Sequence, residues 1–162
     1  MIKKIVSILL ICLFIFTMVA CTNSNKSIKY NKVYSEVFGF STETNSEVQN
    51  PPEKDIYIFN NEKEWSEFTS THLNKLKISD LDFNNKKVLY LQVDWSEPLS
   101  GLVYTISNIS VDNDKLNVTV KKENTQMNVS SNVGIFFKYI IISTVDKSAI
   151  PDNIIPNLII DK

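Results

Sequence analysis

The sequence predicts an α+β domain in which one amphipathic helix packs on a mostly antiparallel β-sheet. Three observations predict this class. One segment repeats apolar residues at the spacing of a helix, several later segments alternate apolar and polar residues, and one late segment is apolar throughout. A strongly apolar segment precedes the domain at the N-terminus.

Residues 1–20 have the layout of a secretory signal, with an initial pair of lysines, an apolar run and the small residue Ala20 before Cys21. The letters "MVAC" (residues 18–21) resemble the lipobox of bacterial lipoproteins. In that family diacylglycerol is attached to the cysteine sulfur, and cleavage makes the cysteine the first residue. The resemblance implies lipidation of Cys21 and an exported protein on the extracytoplasmic face of the bacterial cell membrane.

An uncleaved membrane-spanning anchor is the alternative for this segment. The apolar run from Ile5 to Ala20 is shorter than the ~20 residues that a spanning helix needs, which favours the cleaved signal. The predicted organisation is a lipoprotein signal peptide at 1–20, a lipidated cysteine and tether at 21–29, and one domain at 30–162. The polar tether extends at most about 30 Å, so the domain is expected close to the bilayer.

The first elements of the domain are predicted from local signals. Tyr30–Phe40 has strand composition, with Gly39 as a bend, and Ile56–Phe59 is a second, short strand. Asn61 is the expected N-cap of the helix, with Glu64 completing a capping box. The spacing of a helix places six residues on the face that is expected to pack on the sheet: Trp65, Phe68, Thr69, His72, Leu73 and Leu76.

Strands fill the rest of the domain. Val88–Trp95 places Leu89, Leu91, Val93 and Trp95 on one face. Val103–Val111 and Leu116–Lys122 flank Asp112-Asn113-Asp114, so they are predicted to form a hairpin. Ile135–Val145 is apolar on both faces, as expected of a central strand that is covered on both sides.

Composition excludes several classes of function. All 17 basic residues are lysine and the net charge is −1, which argues against nucleic-acid binding, where arginine supplies bidentate contacts. Of the two cysteines, Cys12 leaves with the signal and Cys21 carries lipid, so neither a disulfide nor thiol chemistry is expected. Three glycines are too few for a phosphate-binding loop.

Neither a catalytic site nor a metal site is expected. His72 is the single histidine, and its place on the apolar helix face predicts a packed side chain rather than a general base. The Asp112–Asp114 segment resembles the start of a calcium loop, but Leu116 and Asn117 stand where such a loop needs a ligand and a glycine. A hairpin turn is therefore predicted there, and no cofactor.

The stretch "DWSEPLSGLVY" leaves one strand, turns and enters the next, and it is the predicted partner-binding loop. Trp95 and Tyr104 would supply a stacking platform for a sugar or a partner side chain; alternatively Trp95 continues the buried face of its strand. The candidate binding residues are Asp94, Trp95, Glu97, Pro98, Ser100, Gly101 and Tyr104.

Four segments, "IYIFNNEKEWSEF", "LDFNNKKVLYLQVD", "PLSGLVYTISNISVDNDKLNVTVKKE" and "FFKYIIISTVDKSAIP", follow one another as in the C-terminal domain of protease complex subunit PrcB. The resemblance covers roughly Phe38 to Pro151. The family's Thr-Gly-Gly-Tyr is represented by Ser100-Gly101 with Tyr104 displaced. The family includes a lipoprotein that associates with and stabilises a surface protease.

This resemblance implies a non-catalytic, lipid-anchored envelope protein that binds or stabilises another surface protein, such as a protease. Its expected partners are the membrane, through covalent lipid, and an envelope protein. The alternatives are a lipoprotein that binds a saccharide or small ligand at Asp94–Tyr104, or a small hydrolase that uses His72.

Overall fold

The computed structural model describes residues 27–41, 50–78, 81–94, 102–124 and 135–161. The predicted signal peptide and Cys21 lie outside these residues. The elements in chain order are β1 (Tyr30–Ser41), β2 (Ile56–Phe59), α1 (Glu62–His72), β3 (Lys86–Asp94), β4 (Leu102–Asp112), β5 (Lys115–Asn124), β6 (Ile135–Asp146), a 3-10 turn (Lys147–Ala149) and β7 (Ile155–Asp161).

The strands form two sheets. The first has four strands in the order β1-β6-β3-β2, and all its pairs are antiparallel. The second has three strands in the order β4-β5-β7, in which β4 and β5 are antiparallel and β5 and β7 are parallel. The predicted α+β class with mostly antiparallel pairing is confirmed. The strands divide between two sheets rather than forming one.

The helix, the first sheet and the second sheet form three layers, and two apolar clusters lie between them. The larger lies between the sheets and joins Leu89, Leu91 and Ile141 of the first sheet to residues such as Leu116 and Val118 of the second. The smaller lies on the opposite face of the first sheet, beneath α1. Its buried members are Phe40, Phe59, Trp65, Phe68, Leu73, Val88, Tyr90, Ile140 and Ile142.

The two central strands of the first sheet are covered on both faces. In β3, Leu89, Leu91 and Val93 face the second sheet, while Val88 and Tyr90 face the helix. In β6 the residues from 139 to 145 are all buried. This confirms the prediction of a doubly covered central strand, and it explains why these segments carry apolar residues at consecutive positions.

Helix α1 begins at the predicted cap. The Asn61 side chain accepts a hydrogen bond from the Glu64 backbone N–H at 2.9 Å, and the Glu64 carboxylate accepts one from the Asn60 N–H at 3.0 Å. Trp65 and Phe68 are buried against the sheet. The helix ends at His72, and Leu73 is buried just beyond it, so the predicted apolar face runs past the end of the helix.

The predicted hairpin joins β4 to β5 through Asn113 and Asp114, with Asp112 paired to Lys115. Asn113 has a φ of 54°, a left-handed conformation that asparagine tolerates better than most residues. The bend predicted at Gly39 is wrong, because Gly39 stays in register opposite Phe137. The irregularity of β1 lies instead between Lys32 and Tyr34.

The two ends of the sandwich differ. We call one of them the Asp94 end: β1, β3 and β5 finish there, and β4 and β6 begin there. The Tyr104 and Tyr139 rings also lie at this end, with their centres 5.6 Å apart. We call the other the Asn113 end, and the hairpin turn and the start of β1 lie there. There the Ile28 N–H donates to the Ile109 carbonyl at 2.6 Å.

No helix in these described ranges is both long and apolar enough to cross a bilayer.

Candidate functional site

Asp94 is the first residue of the predicted binding loop, and it lies exposed at the last position of β3. Its carboxylate forms an ion pair with the Lys138 ammonium on the neighbouring strand β6, although its side chain remains 81% exposed. Exposed ion pairs of this kind contribute about 0–1 kcal/mol, so a partner would compete for Asp94 at little cost. Trp95, Glu97, Pro98, Ser100 and Gly101 lie outside the described residues.

The prediction that Tyr104 supplies a stacking platform for a ligand is wrong. Tyr104 lies on the inner face of β4, is only 7% exposed and packs edge-on against Tyr139 with an interplanar angle of 61°. The reason is register: β4 begins at Leu102, so positions 102, 104 and 106 all point into the sandwich. A saccharide therefore has no access to the Tyr104 ring. The alternation of Leu102, Tyr104 and Ile106 is the sequence signal for this burial.

His72 occupies the helix face as a half-buried residue. Its Nδ1 lies 3.1 Å from the Asn50 backbone carbonyl, and its ring packs on Phe68 with the ring centres 5.1 Å apart. Because a carbonyl oxygen only accepts, Nδ1 carries the proton in this contact. The geometry supports a role in fastening the end of α1 to the preceding segment.

The acidic side chains are dispersed. Within the part of the chain that the structure describes, no three histidine, cysteine, aspartate or glutamate residues come together closely enough to hold a metal ion. Asp112, Asn113 and Asp114 are exposed residues of the hairpin and its turn.

A buried polar network on β3 was not predicted from the sequence. Gln92 is 1% exposed, and its Nε2 donates to the carbonyls of Pro52, at 2.8 Å, and Lys54, at 3.1 Å. Its Oε1 accepts from the Tyr90 hydroxyl at 3.1 Å. Burial raises the pKa of Tyr90, which keeps the hydroxyl a proton donor. The sequence signal for this network is a glutamine within an otherwise apolar stretch of the strand.

A second buried polar group lies near the Asn113 end. The Lys87 side chain is 2% exposed, and its ammonium donates to the Asp152 carboxylate at 2.8 Å and to the Pro151 carbonyl at 3.2 Å. The hydrogen bond from Lys87 holds the pKa of the Asp152 carboxyl below its ordinary value. This contact ties β3 to the segment that leads into β7.

The lowered pKa of Asp152 predicts an acid-sensitive contribution to stability. The contribution is fully present above the pKa of an unfolded aspartate, about 3.9, and is lost as the pH falls through the folded-state value. Asp152→Asn should lower the melting temperature at neutral pH and flatten its acid dependence. Thermal melts over a pH series measure this, with Asp161→Asn as the control. Parallel pH profiles for Asp152→Asn and the parent chain would contradict it.

The described strands therefore place an exposed carboxylate at the Asp94 end, and the hairpin turn with the start of β1 at the Asn113 end. No known protein family, curated protein or solved structure matches the chain.

Proposed function

We propose that this chain is a non-catalytic, lipid-anchored envelope protein that is exported and held to the bacterial cell membrane through Cys21. It binds or stabilises another surface protein with the Asp94 end of its sandwich. One observation carries the proposal: β1, the strand nearest the tether, begins at the Asn113 end, whereas the candidate loop leaves β3 at the opposite end.

The geometry supports presentation away from the bilayer. The tether at 21–29 leads directly into β1, whose start is fixed to β4 by the hydrogen bond between Ile28 and Ile109. β1 and β6 each have twelve residues, which places the Asp94 end roughly 35 Å from the Asn113 end at ~3.3 Å per residue. Connecting segments on a rigid sandwich are common sites of binding.

The residues proposed to contact the partner belong to this same end. Asp94 is exposed there, and residues 95–101 follow it in the sequence before β4 begins at Leu102. Tyr104 is buried, and it fixes the start of β4 in the core beneath this end. The resemblance to the C-terminal domain of protease complex subunit PrcB supports a surface protease as the partner.

A photo-crosslinking amino acid placed at Asp94 is expected to capture the partner protein in intact cells. The same probe at Asn113 should not, because that end faces the membrane. Captured proteins would be identified by mass spectrometry of the crosslinked bands. Both positions are exposed, so the probes differ in location rather than in accessibility.

The Cys21→Ala chain is the control for anchoring, and it should leave the membrane fraction or accumulate as an unprocessed precursor. Membrane retention equal to that of the parent chain would overturn the lipid anchor. Capture from Asn113 as strong as from Asp94 would overturn the assignment of the binding end.

A further inference from the structure

Residues 50–55, which we call the strap, lead into β2 without forming a helix or a strand. The Gln92 side chain donates hydrogen bonds to the strap carbonyls of Pro52 and Lys54. The Gln92 backbone N–H donates a third to the Asp55 carbonyl at 2.8 Å. One buried residue of β3 therefore binds three successive parts of the strap.

Two other elements hold the strap from its sides. At its start, the contact between the His72 ring and the Asn50 carbonyl joins it to the end of α1. Near its end, the Lys54 N–H donates to the hydroxyl of Tyr57 in β2 at 3.0 Å. Pro52 is buried, and its ring fixes its own φ. Side chains of α1, β2 and β3 thus hold this irregular segment in one conformation.

The strand register places the strap at the Asp94 end. Ile56, the first residue of β2, lies opposite Leu91, so the residues before Ile56 run beside the last residues of β3. Because side chains alternate along a strand, Gln92 and Asp94 project from the same face of β3. They are roughly 7 Å apart at ~3.3 Å per residue. The strap therefore lies on the face from which Asp94 projects, and close to it.

The strap directs charged side chains outward. Glu53, Lys54 and Asp55 are exposed, while the carbonyls of Lys54 and Asp55 accept hydrogen bonds from Gln92. The exposed charges have both signs, which suits contact with a charged region of a protein. A segment that is already fixed loses little conformational freedom when it binds, so its contacts contribute more to affinity than those of a mobile segment.

We infer that the strap is a second segment that contacts the partner protein, and that Gln92 is the residue that positions it. The partner then meets the charged residues 53–55 and Asp94 on one face of the first sheet. This inference rests on the proposed function, because it extends the same binding end to residues that were not among the candidates from the sequence.

The chemistry of position 92 separates positioning from packing. A methionine there would fill a similar space within the apolar run of β3, but its side chain has no hydrogen-bond donor. The carbonyls of Pro52 and Lys54 would then need water as their partner. The strap would move outward to reach it, and residues 53–55 would lose their fixed position beside Asp94.

A photo-crosslinking amino acid at Glu53 of the full-length chain, in intact cells, tests the contact. It should capture the same protein as the probe at Asp94. Glu62 is the matched control, since it is also an exposed glutamate but lies beyond the other end of β2, and it should capture none of that protein.

The outcomes separate this inference from the proposed function. Capture from Asp94 but not from Glu53 would overturn the strap contact and leave the proposed function standing. Capture from neither position would overturn both. Equal capture from Glu53 and Glu62 would overturn the strap as a specific contact.

Gln92→Met tests the positioning role. The captured fraction from the Glu53 probe should fall about tenfold, because several side chains must be ordered again on binding. Hydrogen–deuterium exchange at residues 53–57 of the detergent-solubilised full-length chain should become faster, which reports release of the strap without any partner.

Leu116→Ala is the control for lost stability, since Leu116 is buried between the sheets and away from the strap. It should leave both measurements close to those of the parent chain. Unchanged capture in Gln92→Met, or equally faster exchange in both variants, would overturn the positioning role. The Glu53 probe in the otherwise unchanged chain decides the contact even if Gln92→Met does not fold.

Discussion

Replacing Phe68 with alanine is expected to lower the free energy of unfolding by about 3–5 kcal/mol, the usual cost of deleting a buried aromatic ring. Phe68 is 8% exposed, and its ring centre lies within 5.0 Å of those of Tyr57, Phe59 and Tyr90. These contacts join α1 to β2 and β3. Removing the ring leaves a cavity that a fixed sheet cannot collapse to fill.

Urea unfolding followed by circular dichroism measures this effect as a lower transition midpoint. Ser66→Ala, on the exposed side of the same helix, is the matched control and should change stability by no more than about 0.5 kcal/mol. Equal midpoints for the two variants would show that the helical layer adds little to the stability of the sandwich.

Gln92→Leu is expected to be comparably damaging, even though leucine is apolar and similar in size. The substitution leaves the carbonyls of Pro52 and Lys54, and the Tyr90 hydroxyl, without their partner. Each buried polar group left unpaired costs about 1–3 kcal/mol, so a total loss on the order of 3 kcal/mol is expected.

The double variant Gln92→Leu with Tyr90→Phe provides the sharper measurement. Because it also removes the orphaned hydroxyl, its loss of stability should be smaller than the sum of the two single losses. Strict additivity of the three unfolding free energies would contradict a direct coupling between Tyr90 and Gln92.

The sequence predicts those elements whose cause is local. Asn61 and Glu64 lie within one helical turn, and the β4–β5 hairpin is specified by the turn residues between its arms. β6 was recognisable because a strand covered on both faces has no polar side. In each case the deciding residues are neighbours in the chain.

The division into two sheets has no such local cause. Strands β3 and β4 follow each other in sequence but belong to different sheets, and β5 pairs with β7 from the end of the chain. β7 itself was not predicted, because Pro156 makes the segment read as a poor strand. The proline is tolerated because the Ile155 N–H bonds toward β5, so position 156 points away from β5 and no hydrogen bond of the described ladder is lost.

The candidate site was predictable only in part for the same reason. Asp94 ends a strand that the sequence locates well, and it is exposed as a loop residue should be. The predicted strand Val103–Val111 already contains Tyr104, and the interpretation as a binding residue overlooked which face of that strand is apolar. Leu102, Tyr104 and Ile106 alternate on the face that packs against the first sheet, so the Tyr104 ring is buried.

The order β1-β6-β3 determines how the protein responds to mechanical load. β1 and β3 run in the same direction on either side of β6. Tension between the proposed N-terminal anchor and a partner bound at Asp94 would therefore pull β1 and β3 in opposite directions along their axes. The inter-strand hydrogen bonds lie perpendicular to that pull. They would share the force in shear instead of opening one at a time, so the sheet would resist being unzipped by a partner bound at the proposed site.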